Sequence, residues 1–100
     1  MSVREVRKDP ELARRLAAAV VGFRKCNRMT QAELARKARI SQPALSLIEK
    51  GQRLDIVTLN RICWALGYKL SYLVKFSEEI GTKNDVLMDA ESFLRNAGVR

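Results

Sequence analysis

The chain has no histidine, only two cysteines, Cys26 and Cys63, and just two prolines and five glycines in its 100 residues. Without histidine, the commonest general base and the commonest metal ligand are both missing. Two cysteines with no Cys-x-x-Cys spacing supply neither a zinc site nor a disulfide framework, so both thiols are expected to stay reduced. No serine, cysteine or lysine stands in a nucleophile motif, so an enzyme is not expected, nor any cofactor or metal. Sparse proline and glycine mean few obligatory turns, and no internal repeat or low-complexity linker divides the chain. Long apolar runs are missing too. The longest, Leu16 to Val21, falls far short of the roughly 20 residues that span a bilayer, and Arg4, Arg7 and Lys8 precede no secretory core. The expectation is one cytoplasmic domain with one core and no membrane contact.

What the chain does have is positive charge, unevenly spread. Residues 1–53 hold 13 Lys/Arg against 5 Asp/Glu, whereas residues 54–100 hold 6 of each, so the whole net charge of +8 lies in the first half. Such a surface either keeps a small protein solvated or displaces counterions from a polyanion such as DNA.

Helical patterns fill most of the remaining length. Residues 1–8, charged and without periodicity, are expected to be a mobile basic arm. Asp9 and Pro10 announce a first helix with an apolar stripe of Leu12, Leu16, Val20 and Phe23, running to about Lys25. Thr30 followed by Glu33 is a capping box for a second helix, Gln31 to Ala38, whose buried face is Leu34, Ala35 and Ala38. Ser41 caps a third, Gln42 to Lys50, with Leu45 and Ile48 inward and Gly51 as its stop. Asp55 starts a fourth, with Ile56, Leu59, Ile62, Cys63 and Leu66 on one side and Gly67 at its end. From Leu70 the pattern fits both a strand (Leu70, Tyr72, Val74, Phe76) and a helix (Leu70, Leu73, Val74, Ile80), and helix is favoured. After a break at Gly81 to Asn84, the stripe Val86, Leu87, Ala90, Phe93, Leu94 and Ala97 marks an amphipathic helix ending near Gly98. Residues 9–80 are thus expected to form the main domain and 81–100 a C-terminal extension.

The second and third helices are short and joined by about three residues, too few for an antiparallel hairpin, so they must cross steeply. They are either two members of a small bundle or a helix-turn-helix, whose second helix enters the roughly 12 Å wide major groove while the first lies across the backbone.

The string Thr30-Gln31-Ala32-Glu33-Leu34-Ala35, then Ile40-Ser41-Gln42, Leu45 and Ile48-Glu49-Lys50-Gly51, then Leu59 and Ala65-Leu66-Gly67, resembles the Xre, Cro and lambda-repressor-like helix-turn-helix family over about residues 20–74. The resemblance implies an all-α fold: a five-helix lambda-repressor-like DNA-binding domain, here with an additional C-terminal amphipathic helix. It also implies a homodimer on double-stranded DNA, acting as a transcriptional regulator and, by family frequency, a repressor. Gln31 would bond a phosphate and brace Gln42, and Gln42 would address a base edge, since a carboxamide can pair bidentately with adenine N6 and N7. Arg24 and Glu49 stand where the family has a structural ion pair that locks the motif onto its scaffold.

Around these, Pro43, Ala44, Ser46 and Leu47 complete the expected base-facing surface, with Gln42 leading it. Pro43 and Leu47 are apolar where many relatives are polar. Both can pack on thymine methyls, while Leu47 has two other destinations, the core or a partner. Thr30, Arg28, Lys50 and Arg53 join Gln31 as phosphate candidates. Arg39 occupies the turn where the family usually has glycine in a left-handed conformation, which either costs about 1 kcal/mol or means a different turn. Val57, Trp64 and Tyr68 draw a second apolar line on the fourth helix, and Trp64, Tyr68, Leu70 and Tyr72 are the candidates for a dimer face. The alternative use of Trp64, slightly favoured, is as the seat for the C-terminal helix. Were residues 70–76 a strand, its edge could pair across the dyad as in HipB-type antitoxins, and a toxin partner is the alternative function.

Overall fold

The computed structural model describes residues 9–80 and 86–98, of which residues 86–89 are described as backbone. The arm expected over 1–8 and the break expected at Gly81 to Asn84 lie outside the described residues, as do the side chains of Val86 and Leu87. Each of the first four helices begins where a side chain satisfies an otherwise free backbone N–H. Asp9 accepts from Leu12 N–H at 3.1 Å and Pro10 takes the first position of α1 (Pro10–Cys26). The capping box closes reciprocally at α2 (Gln31–Ala38): Thr30 Oγ1 accepts from Glu33 N–H at 3.1 Å and Glu33 Oε1 from Thr30 N–H at 2.8 Å. Ser41 Oγ accepts from Ala44 N–H at 3.1 Å to start α3 (Gln42–Glu49), and Asp55 from Thr58 N–H at 2.8 Å to start α4 (Ile56–Leu66). Left-handed Gly67, φ 83°, ends α4.

The ambiguous segment is helical: α5 (Leu70–Ile80) buries Leu73, Phe76, Ser77 and Ile80 on one face at helical spacing, and Tyr72 and Val74 fall on its half-buried flanks. The HipB-like strand edge is therefore ruled out. What settles the helical choice is Phe76, stacked on Phe23 of α1 with ring centroids 5.3 Å apart, while α6 (Val86–Asn96) adds Phe93 at 5.2 Å from Phe76. The described elements form an all-helical fold.

At its centre is α1, which touches α3, α4, α5 and α6. That wrapping explains why Ala13, Ala17 and Ala19 are buried as well as Leu16, Val20 and Phe23: helices close in on more than one side. Ala90 and Leu94 of α6 belong to the same core cluster. One expectation falls here. α6 seats on α1 and α5, not on Trp64, which stays 73% exposed beside Val57 at 50%. The α1–α5 groove offers aromatic rings of Phe23 and Phe76 to Phe93, a larger apolar surface than a single indole. No helix among the described residues is long and apolar enough to cross a membrane.

Candidate nucleic-acid interface

The α2–turn–α3 unit is held to the rest of the fold from beneath. Leu34, Ala35 and Ala38 of α2 and Leu45 and Ile48 of α3 are all buried, so each short helix has one face fixed and the opposite one free. Between them, Arg39 closes α2 in a left-handed conformation, φ 61° and ψ 43°. The turn therefore has the shape that glycine would serve with less strain, and of the two openings left by Arg39 it takes the strained one. Ile40 follows, half-buried against the core, and its N–H donates to Ala35 C=O at 3.0 Å.

The free face of α3 carries the expected base-reading set. Gln42 and Pro43 are exposed in the first turn, and Ala44, Ser46 and Leu47 are half-buried. Leu47 lies outside the core cluster and outside the hydrophobics packed against it, so of its three destinations the core is not the one taken. Thr30, Arg28, Lys50 and Arg53 are all exposed, and Gln31 is half-buried. Arg28, φ 56°, is a second non-glycine residue with left-handed backbone. Arg36, Lys37 and Arg39, on α2 and its turn, are three further exposed cations that were not among the phosphate candidates. Arg28, Arg36 and Lys37 line a cleft of about 420 Å³ together with Met29, Ala65 and Leu66. Among the described residues the only carboxylate lining it is Glu33, and the Thr30 backbone N–H and hydroxyl hold its carboxyl below the usual carboxylate range.

Beneath α2 and α3 runs a charged network. Arg24 donates through Nε to Glu49 Oε2 at 2.7 Å and through Nη2 to Glu49 Oε1 at 3.1 Å, a bidentate pair with side chains only 12% and 6% exposed. Arg24 Nη1 also donates to the Met29 carbonyl at 2.8 Å, fastening the α1–α2 loop. Gln31 Nε2 donates to Glu49 Oε1 at 2.9 Å. The Gln31 amide is thus turned toward Glu49 and not toward Gln42. Nothing in the spacing of the sequence signals that link, because Gln31 and Glu49 are 18 residues apart on different helices.

The four dimer candidates separate. Tyr68 sets its ring edge-on to Phe23 at 5.3 Å and its hydroxyl accepts from Asn27 Nδ2 at 2.9 Å, while Leu70 and Tyr72 are partly buried against the core. Trp64 alone is exposed. Among the described residues no three acidic or cysteine side chains gather as a metal site requires.

A helix-turn-helix family model matches residues 23–73, from the last turn of α1 into the first turn of α5. No curated protein and no solved structure matches the chain. The matched segment contains the whole α2–turn–α3 unit with its capping box and its left-handed turn. The chain belongs to the Xre/lambda-repressor-like helix-turn-helix family, whose members are DNA-binding transcriptional regulators.

Proposed function

We propose that this protein is a repressor that reads a palindromic operator in the major groove as a homodimer in the cytoplasm. The observation that carries the reading is the free face of α3: Gln42 exposed at the helix N-terminus, anchored from behind by buried Leu45 and Ile48. Gln42 pairs with an adenine edge, Pro43 and Leu47 contact thymine methyls, Ala44 allows close approach, and Ser46 bonds a base or phosphate. Arg28, Thr30, Gln31, Lys50 and Arg53 bond phosphates and set register.

One module covers only a few base pairs, so specificity calls for two, about one helical turn apart. Support for a second copy comes from α4, where Val57 and Trp64 lie seven residues apart on the face opposite the core. Trp64→Ala should lower the yield of the two-to-one complex on a palindrome without changing binding to a single half-site. A stoichiometric small protein co-purifying with the chain, lost on Trp64→Ala, would instead favour the toxin-binding alternative.

Selection of bound duplexes from a random pool at about 0.15 M salt tests the whole reading. A palindromic consensus is expected; no enrichment would overturn it. On the recovered site, Gln42→Ala should cost about 1–3 kcal/mol and relax preference at one base pair, whereas Lys50→Ala should weaken all sequences alike and flatten the salt slope. Equal losses on cognate and random DNA for Gln42→Ala would count against base reading.

A further inference from the structure

The carboxamide of Gln31 is held from inside the protein. Glu49, in the last turn of α3, has both carboxylate oxygens engaged: Oε2 by Arg24 Nε, and Oε1 by Arg24 Nη2 and by Gln31 Nε2 at 2.9 Å. An ionised carboxylate only accepts, so it can hold Gln31 by its NH₂ group and never by its carbonyl. One N–H of Gln31 therefore points inward, and the polarity of the whole amide is settled while the second N–H stays uncommitted. A phosphate also only accepts. Were the amide flipped, its carbonyl oxygen would face the Glu49 carboxylate, acceptor against acceptor, and the inward bond that holds the side chain would be lost.

We propose that Glu49 is a positioning residue for DNA binding: acting through Gln31, it fixes which end of the amide is presented and keeps one N–H ready for a backbone phosphate before DNA arrives. The proposal rests on Gln31 being a phosphate contact. Arg24 serves the same end one step further back, since its fork fixes the carboxylate and its third bond, to the Met29 carbonyl, ties that carboxylate to the loop leading into α2. The ion pair thus does more than join α1 to α3. It spares Gln31 the loss of side-chain freedom that an unheld glutamine would suffer on binding, a difference of about three- to tenfold in affinity.

The test is a double-mutant cycle on binding to a mixed-sequence duplex of about 30 base pairs at about 0.05 M salt, where phosphate contacts dominate. Glu49→Ala alone strands a buried guanidinium, so the comparison background is Arg24→Met with Glu49→Met, a pair replacement that buried ion pairs commonly tolerate. Circular dichroism and thermal unfolding confirm that this background is folded. Gln31→Ala should weaken binding about tenfold in the native chain and no more than about threefold in the methionine background. Equal tenfold losses in both overturn the positioning role. No loss in the native chain, with the duplex still bound, overturns it by removing the Gln31 phosphate contact, and leaves the helix-turn-helix reading standing. A second measurement needs no variant: in the free native protein, the side-chain amide protons of Gln31 should exchange more slowly with water than those of exposed Gln42. Equal exchange refutes the proposal.

Discussion

Arg39 adopts φ 61° and ψ 43°, a left-handed backbone in which its Cβ crowds the following carbonyl. For an L-residue that conformation costs about 1–2 kcal/mol, and glycine escapes it. Glycine also loosens the unfolded chain, which takes back about 0.4–1 kcal/mol. The balance for Arg39→Gly is a gain of between zero and about 1.6 kcal/mol, centred on about 0.8 kcal/mol, which in a domain of this size raises Tm by about 3–6 °C. Arg39→Ala keeps the Cβ and should change stability by only a few tenths of a kcal/mol. Urea unfolding followed by circular dichroism at 25 °C separates the two, provided the denaturant slope is unchanged. Loss of stability in Arg39→Gly, or an equal gain in Arg39→Ala, would refute the strain argument. Arg28 at φ 56° offers an independent repeat in a different turn. There the same substitution should also remove the phosphate contact proposed for Arg28, so stability should rise while the salt slope of DNA binding falls by about one.

Glu49→Ala leaves Arg24, 12% exposed, without its counter-charge and should destabilise by about 3–5 kcal/mol, a large share of the roughly 5–15 kcal/mol available to a domain of this size. A loss below about 1 kcal/mol in denaturant unfolding would mean the pair is effectively solvated. Thr30→Ala removes a helix cap and should cost about 1 kcal/mol. The Thr30 backbone N–H, and after it the Thr30 hydroxyl, lowers the pKa of Glu33 in the folded state, and that contribution is complete above the unfolded carboxylate value of about 4.3 and is lost as pH falls through the lower folded value; Glu33→Gln, which removes the titrating group, should flatten that acid limb. Matching limbs in the two proteins would contradict the assignment. Burial pushes the Cys63 thiol up to about 12, while partly buried Cys26 is raised less, by burial and by the Glu91 carboxylate. Iodoacetamide at neutral pH should therefore label Cys26 first, and mass spectrometry showing equal rates in the folded protein would argue against a closed core around Cys63.

Helix starts were readable because each depends on a few adjacent residues: Asp9, Thr30 with Glu33, Ser41 and Asp55 all cap where their local spacing indicates. Ends were nearly as clear, with differences of one residue at Cys26 and Glu49 that lie within the fraying of any last turn. The segment from Leu70 was not, since over seven residues a strand period and a helix period select overlapping apolar sets. Only the position of Phe23 across the core decides between them, and that is tertiary information. At the interface, the outward face of α3 follows from its helical period, whereas the Glu49 bond to Gln31 depends on how α2 and α3 cross and leaves no periodic trace.

The seat of α6 shows the limit most sharply. An amphipathic stripe states that a face must be covered but not by which neighbour, and two apolar surfaces competed for it: the outer line of α4 and the groove between α1 and α5. The groove wins because it offers two stacked rings, Phe23 of α1 and Phe76 of α5, both of which meet Phe93 of α6. A ring entering such a cluster gains specific edge and face contacts beyond the area it buries, which a lone indole on a helix cannot match. The consequence reaches function. With α6 committed to α1 and α5, no described residue covers the Val57–Trp64 face of α4, on the same core that carries α2 and α3. A second copy meeting that face would be held at a set distance from the first, and a fixed separation between two recognition helices is what a palindromic site requires.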